Sequence, residues 1–205
     1  MSSARFLALG DSYTIGEQVD AGARWPVQLA AMLRAGGTRV DDPEIIATTG
    51  WTTDELAAGI ARASPVGPYA LVSLLIGVNN QYRGRQLATY DAEYRALLAQ
   101  AIEFAGGVAG RVIVLSIPDW GVTAFAEGRD RTAVAREIDA FNAAARMATL
   151  AAGARWVDVT PSSRERRAGW EAADGLHPSG VQYGAWAALA LAPARAALAA
   201  RSGGA

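Results

Sequence analysis

The chain has 205 residues, of which 51% are hydrophobic and 19% charged, a balance that is typical of a folded globular protein and excludes a disordered one. Its formal net charge of −1 argues against nucleic acid as a partner, because binding a polyanion requires surplus positive charge. The absence of cysteine excludes thiol nucleophiles, disulfides and cysteine-ligated metals. This length predicts a single domain over residues 1–205.

Short apolar segments alternate with long alanine-rich stretches along the chain. The apolar segments predict five strands, at Arg5–Leu9, Glu44–Ala47, Tyr69–Leu75, Arg111–Ser116 and Arg155–Val159. The other stretches predict helices, at Pro26–Arg34, Thr52–Arg62, Gln86–Phe104, Arg131–Ala152 and from Pro178 to about Ala200. Because this alternation is typical of βαβ units, we predict an α/β fold, a flavodoxin-like three-layer α/β/α sandwich with a five-stranded parallel sheet.

Local signals support several helix ends. Thr52, followed three residues later by Glu55, predicts a capping box at the start of the second helix. Gly36 and Gly153 stand where helices are expected to end. Pro178 suits the first turn of the last helix, where a missing N–H costs nothing. The last helix is apolar nearly all round, which indicates burial in the core or, as an alternative, a place at an interface.

The first residues after Met1 contain no recognisable targeting segment. The apolar run that follows Arg5 is too short for the core of a signal peptide or for a membrane span. We therefore expect a cytoplasmic protein without integral membrane association. The sequence leaves its oligomeric state open.

Ser12 is the first candidate functional residue. In parallel sheets ligands bind beyond the carboxyl ends of the strands, and Ser12 follows the first strand in Gly10-Asp11-Ser12-Tyr13. A serine there can act as a nucleophile if a general base and oxyanion donors lie within reach. Taken alone, however, Gly-Asp-Ser is more often an ordinary turn with a helix cap.

The base has a single candidate, because His177 is the only histidine of the chain. It follows the fifth strand, which brings it to the same edge of the sheet as Ser12. Asp174, three residues earlier, can accept the imidazole Nδ1–H and leave Nε2 free as the base. The alternative is that Asp174 only caps the turn or the helix.

Two further strand ends carry candidate oxyanion donors. Gly50 follows the second strand and can present a backbone N–H, while Asn79 follows the third and can present its side-chain amide. Each alone is more often an ordinary turn or loop residue. Together with a nucleophile and an acid–base pair at one sheet edge, they indicate acyl-transfer chemistry.

These residues resemble the four sequence blocks of the SGNH or GDSL hydrolase family. Phe6–Tyr13 is similar to the first block, which holds the nucleophilic serine, and Gly50 matches the glycine of the second. Gly77–Asn80 resembles the third block, usually Gly-X-Asn-Asp, and Asp174–Pro178 the last, Asp-X-X-His. Position 80 departs from the pattern, because it is Asn where the family usually has Asp.

The resemblance implies ester hydrolysis by a triad of Ser12, His177 and Asp174. The backbone N–H groups of Ser12 and Gly50 and the amide of Asn79 would form the oxyanion hole. No metal or organic cofactor would be needed. The lack of a recognisable targeting segment favours a small soluble acyl ester as the substrate. The family also includes carbohydrate deacetylases, thioesterases and lysophospholipases, so the resemblance determines the reaction class better than the substrate.

Aromatic and amide side chains near the predicted sheet edge are candidates for the substrate pocket. They are Tyr13, Trp51, Gln81 and Trp120, with Tyr82 and Trp170 as further candidates. Most of them can equally pack loops onto the sheet. Two nearby segments stay open to interpretation. Asp119–Arg129 is a candidate lid, and Arg164–Arg167 is better interpreted as a solvated charge run than as an anion site.

A function of another class also fits part of the pattern. The loop Gly10–Gly16 could cradle a phosphate, which would make the chain a non-catalytic nucleotide-binding or acyl-binding module. It lacks the Walker ending and the Gly-X-Gly-X-X-Gly spacing, and it leaves His177, Asp174 and Asn79 unexplained. An inactive relative that only binds ligands is a third alternative.

Overall fold

In the computed structural model, which describes residues 3–200, the five predicted strands form one sheet. They are β1 (Phe6–Gly10), β2 (Glu44–Ala47), β3 (Leu71–Leu75), β4 (Val112–Leu115) and β5 (Arg155–Val157). All neighbouring pairs are parallel, in the order β2-β1-β3-β4-β5. This is the flavodoxin-like order, so the predicted fold class is confirmed.

Helices cover both faces of the sheet. They are α1 (Ser12–Ile15), α2 (Trp25–Ala35), α3 (Thr53–Ala63), α4 (Val78–Tyr82), α5 (Leu87–Phe104), α6 (Arg131–Ala151), α7 (Thr160–Ser163) and α8 (Gly180–Leu198). Single 3₁₀ turns lie at Ala21–Ala23, Ala109–Arg111, Trp120–Val122 and Ala124–Ala126. The five long helices are those predicted from the sequence. The short helices α1, α4 and α7 were not predicted, because four or five residues are too few to show a helical period.

The central strands are apolar nearly throughout because both of their faces are buried. Every residue of β1, β3 and β4 is buried. Helices α2 and α8 pack together on one face, and α3, α5 and α6 pack side by side on the other. The last helix therefore belongs to the core layer, with Tyr183 and Trp186 fully buried. No helix within residues 3–200 is long and apolar enough to cross a membrane.

The structure confirms one of the predicted helix starts and contradicts another. Glu55 accepts a hydrogen bond from the backbone N–H of Thr52 at 2.9 Å, as the capping box requires. The prediction that Pro178 lies in the first turn of the last helix is wrong. Ser179 caps α8 instead, and Pro178 pairs with Glu171 in an isolated antiparallel bridge. This pairing fixes the segment that carries His177.

Candidate active site

One cavity of about 160 Å³ opens at the carboxyl edge of the sheet, where four predicted site residues meet. Ser12 follows β1, Gly50 follows β2, Asn79 follows β3, and His177 precedes α8; all four line the cavity. The rest of its wall is mainly apolar and includes Tyr13, Val78, Tyr82, Trp120, Phe125 and Leu176. The structure therefore brings these four residues together at one edge of the sheet, as the order of the predicted strands indicated.

A tight turn between β1 and α1 presents Ser12 to the cavity. A Cβ on Gly10 would lie 2.5 Å from the carbonyl oxygen of Leu75, so only glycine allows β1 and β3 to approach so closely here. Asp11 caps α1, since its Oδ1 accepts from the backbone N–H of Tyr13 at 3.0 Å. Ser12 is then the first helical residue, a position whose N–H has no partner within the helix.

Asp174 holds the ring of His177 from a turn three residues earlier. Its Oδ2 lies 2.6 Å from Nδ1 of His177, and its Oδ1 accepts the backbone N–H groups of Leu176 and His177, both at 3.0 Å. Partial burial raises the pKa of Asp174, but these hydrogen bonds outweigh it and lower the pKa below its ordinary value. The carboxylate therefore stays ionised, and it can accept a hydrogen bond from Nδ1–H of the imidazole.

Ser12 and His177, the predicted nucleophile and base, share the cavity without being hydrogen-bonded to each other. Ser12 and His177 are both nearly buried, and the ring of Tyr13 packs against the imidazole with 5.8 Å between centroids. Among the side-chain hydrogen bonds of residues 3–200, none joins the Ser12 hydroxyl to the imidazole. Such contacts are often long in unliganded sites and shorten when substrate binds.

Three residues that line the cavity, Ser12, Gly50 and Asn79, each carry an N–H group that could bind a ligand. The backbone N–H groups of Ser12 and Gly50 take part in no backbone hydrogen bond of the turns and loops in residues 3–200. Gly50 has a φ of +85°, a conformation that glycine adopts without strain. The Nδ2 of Asn79 donates one hydrogen to the carbonyl oxygen of Trp51 at 2.9 Å. This bond fixes the orientation of the amide and leaves its second hydrogen for a ligand.

From the oxyanion role predicted for Asn79, we expect its replacement by alanine to lower kcat by roughly 10²–10³, the usual effect of removing one such donor. The change should leave KM for a small ester nearly unchanged, because the apolar walls of the cavity stay in place. Steady-state hydrolysis of p-nitrophenyl acetate measures both constants. A loss of kcat below about threefold would rule out this role for Asn79.

Of the four residues first predicted to form the substrate pocket, Tyr13 and Trp120 line the cavity and the other two do not. The indole of Trp51 lies on α3, where a Cβ on Gly59 would come within 2.5 Å of the ring. Gln81 lies behind the wall. Its Oε1 accepts from Nε1 of Trp120 at 2.8 Å, so it positions the indole instead of contacting a ligand.

Of the two further candidates for the pocket, one lines the cavity and the other does not, and one lining aromatic residue was not predicted. Tyr82 lines the cavity and packs edge-on against Trp120 with 5.3 Å between centroids. Trp170 does not line it and lies beneath the guanidinium of Arg167. Phe125 was not predicted, although it lies in the segment considered as a lid. Its place in that segment is the only feature of the sequence that could have identified it, because the sequence does not show which way its ring points.

The structure shows how two segments of uncertain role, Asp119–Arg129 and the one that begins at Arg164, are attached to the rest of the protein. In Asp119–Arg129, the backbone N–H of Phe125 donates to the carbonyl oxygen of Gly175 at 2.9 Å, which attaches the segment to the turn before His177. Arg164 bridges Asp119 and Asp139 with two contacts of 2.8 Å. Its charge is thus paired within the protein, in keeping with a structural role for that residue.

Asp11 is a fully buried carboxyl group beside the proposed nucleophile. Its Oδ2 has no hydrogen-bond partner in the part of the chain that the structure describes. Burial raises the pKa of Asp11 from 3.8 to about 7, against the opposing effect of the hydrogen bond from the backbone N–H of Tyr13. The folded protein therefore binds this proton more tightly than the unfolded chain does.

Replacing Asp11 by asparagine should stabilise the protein more at pH 8 than at pH 5. Because the folded pKa is raised, the stability of the wild type falls as pH rises from about 4 to about 7, and asparagine removes this slope. The gain above pH 7 should be at most ~4 kcal/mol. Urea unfolding of both proteins at the two pH values measures it. An equal difference at both would contradict the raised pKa.

Comparison with known proteins gives a family for the chain. Residues 8–185 match the model of the GDSL-like lipase/acylhydrolase family. This range covers most of the chain and contains Ser12, Gly50, Asn79, Asp174 and His177. No curated protein matches the sequence.

Solved structures of similar fold are distant in sequence. TesA is 19% identical with a TM-score of 0.73, covering 92% of this chain and 97% of its own. Axe2, an acetylxylan esterase from Geobacillus stearothermophilus, is 19% identical with a TM-score of 0.69, and 94% of each chain is covered. A lipase/acylhydrolase from Enterococcus faecalis is 22% identical with a TM-score of 0.65, covering 92% and 94%. At these identities the likeness concerns the fold alone.

Proposed function

The chain belongs to the GDSL-like lipase/acylhydrolase family and is a carboxylic ester hydrolase, and from that premise we propose that it cleaves short acyl esters through a covalent intermediate on Ser12. One observation carries this proposal. A serine, a histidine paired with an ionised aspartate, and three N–H donors surround a single apolar cavity at the edge of the sheet. We further propose that the whole chain acts as one catalytic domain.

Acylation begins when Oγ of Ser12 attacks the ester carbonyl carbon. Nε2 of His177 takes the hydroxyl proton, and the charge that develops on the imidazole is balanced by Asp174. The carbonyl oxygen becomes an oxyanion, which the N–H groups of Ser12 and Gly50 and the amide of Asn79 bind. The intermediate then collapses, and the alcohol leaves with the proton from Nε2.

Deacylation repeats these steps with water. Nε2 of His177 takes a proton from a water molecule, whose oxygen attacks the acyl carbon on Ser12. The same donors stabilise the second oxyanion. The carboxylic acid leaves as the proton returns to Oγ, so the enzyme ends in its starting state.

The size and the lining of the cavity support a short, uncharged acyl group. At about 160 Å³ the cavity is smaller than the ~300–1,000 Å³ typical of pockets for drug-sized ligands. Within residues 3–200, aromatic and aliphatic side chains make up most of its wall, beside the polar Ser12, Thr49, Asn79 and His177, and no Asp, Glu or Arg lines it. A short acyl chain fits these walls better than a sugar ring, which would need several hydrogen-bonding partners.

The nucleotide-binding alternative finds no support at the loop Gly10–Gly16. The carboxyl group of Asp11 occupies the N-terminus of α1, so an incoming phosphate would meet a negative or competing group there. Helix α1 has only four residues, which gives it a weak dipole. The acyl-ester function instead assigns a role to each of the polar residues predicted at the cavity.

The proposed function is tested by covalent labelling together with a series of substrates. A p-nitrophenyl phosphonate should add one phosphonyl group per chain, at Ser12, as seen by intact mass and peptide mapping. His177→Ala is the matched control. It keeps Ser12 but should not be labelled, because the hydroxyl is no longer activated. Labelling of both proteins alike, or of neither, would contradict the serine mechanism.

The substrate series runs from p-nitrophenyl acetate to the decanoate. We expect kcat/KM to be highest among the esters of two to about six carbons and to fall for longer chains, because the cavity is small. A maximum at the decanoate would contradict the short-acyl assignment while leaving the serine mechanism intact.

A further inference from the structure

The side chain of Asn80 is fully buried and makes two hydrogen bonds to a single residue, Thr53. Its Oδ1 accepts from the backbone N–H of Thr53 at 3.1 Å, and its Nδ2 donates to the hydroxyl oxygen of Thr53 at 2.7 Å. That hydroxyl in turn donates to the carboxylate of Glu93 on α5. The three residues thus form a continuous chain of hydrogen bonds between α4, α3 and α5.

The direction of each hydrogen bond in this chain requires an amide at position 80. An ionised Glu93 can only accept, so the one hydroxyl proton of Thr53 points toward it. The hydroxyl oxygen must then accept from the other side, while the backbone N–H of Thr53 needs an acceptor. An amide supplies both a donor and an acceptor, whereas a carboxylate supplies acceptors only. Glu93 therefore explains why this chain has Asn80 where its family usually has Asp.

The chain of hydrogen bonds ends beside the proposed oxyanion donors. Thr53 is the first residue of α3 and follows the loop that carries Gly50. Two other residues of the α4 region hold the same loop. Nδ2 of Asn79 donates to the carbonyl oxygen of Trp51 at 2.9 Å, and Arg83 donates to that of Gly50 at 2.6 Å. Of these contacts, only those of Asn80 are fully buried.

We propose that Asn80 is a positioning residue that sets the distance between two oxyanion donors, the N–H of Gly50 and the amide of Asn79, through its bonds to Thr53. The inference rests on the proposed function, because it takes these two groups to bind the oxyanion. Asn80 itself does not contact the substrate. A shift of either donor by a fraction of an ångström weakens its contact with the transition state more than it weakens substrate binding.

A double-mutant cycle tests this proposal. Asn80→Asp places two carboxylates around the Thr53 hydroxyl and should lower kcat about tenfold with KM nearly unchanged. Glu93→Gln alone should change kcat by less than about twofold, because the glutamine oxygen can still accept from Thr53. In the double variant the roles are exchanged, since the new carboxylate at position 80 accepts from the hydroxyl and the new amide at position 93 donates to it. Its kcat should return to within about threefold of the wild type.

Recovery of kcat in the double variant distinguishes a positioning role of Asn80 from a general loss of packing in Asn80→Asp. Glu93 lines an open groove between α3 and α5, so glutamine there creates no new buried contact that could restore a damaged fold. If the double variant is as slow as Asn80→Asp, or if Asn80→Asp keeps the kcat of the wild type, the proposal is overturned.

A second pair of variants covers the case in which Asn80→Asp fails to fold. Thr53→Ser keeps the hydroxyl and should keep kcat, whereas Thr53→Val keeps the shape, loses the hydroxyl and should lower kcat with little change in KM. Equal kcat in the two would overturn the proposal. The Tm of all variants reports the hydrogen-bond chain independently of activity. Phosphonate labelling of Ser12 in the wild type reports the proposed function, so either one can fail alone.

Discussion

Replacing Ser12 by alanine should lower kcat for p-nitrophenyl acetate by roughly 10⁴–10⁶, because without the hydroxyl no acyl-enzyme can form. The residual rate would come from the oxyanion donors and from substrate binding, with water as the nucleophile. The variant should bind substrate as well as the wild type does, since the change removes one oxygen from the cavity surface. Steady-state kinetics with freshly purified protein, extended to long incubation times, measures the loss.

Ser73→Ala is a matched control for this experiment. Ser73 lies in β3, and its buried hydroxyl has no hydrogen-bond partner within residues 3–200. Both substitutions therefore remove one oxygen and no side-chain hydrogen bond, so neither should lower the free energy of unfolding. Only Ser12→Ala should lose activity. Equal activity of the two variants would rule out Ser12 as the nucleophile.

The fold was largely predictable because a parallel sheet that is buried on both faces produces a simple hydrophobic pattern in the sequence. Strands such as Leu71–Leu75 have no solvent-facing side, so they appear as short, mainly apolar runs between longer helical stretches. Every predicted end lies within two residues of the observed one. The error at Pro178 has a tertiary cause. This residue is drawn out of the helix by its pairing with Glu171, a contact that no local pattern records.

The placement of the proposed catalytic groups was predictable for a related reason, whereas the side chains of the pocket wall were predictable only in part. Strand ends place backbone positions at one edge of the sheet, so the placement of Ser12, Gly50 and Asn79 follows from the topology. The direction of a loop side chain instead depends on distant contacts. Trp51 is directed onto α3 by the space that Gly59 leaves, and Gln81 by the indole of Trp120, 39 residues away. Neither contact has a signal in the local sequence.

Replacing Asp174 by asparagine should lower kcat by roughly 10⁴ while leaving the turn intact. The two backbone N–H groups that Oδ1 accepts, from Leu176 and His177, need an oxygen there, so the amide oxygen of asparagine must keep that place. The amide NH₂ then faces Nδ1 of His177. Nδ1 has to accept a hydrogen bond, which moves the ring proton to Nε2 and removes the base that Ser12 requires.

This substitution distinguishes catalysis from capping, the two roles that Asp174 can have. Asparagine caps the turn as well as aspartate does, so a purely structural role predicts activity within about threefold of the wild type and an unchanged Tm. Asp174→Ala completes the comparison, because it should lose both the cap and the activity. If Asp174→Asn stays fully active while Asp174→Ala is destabilised, Asp174 is a capping residue and His177 must be oriented by another group. A large loss of kcat at unchanged Tm would instead assign the third position of the triad to Asp174.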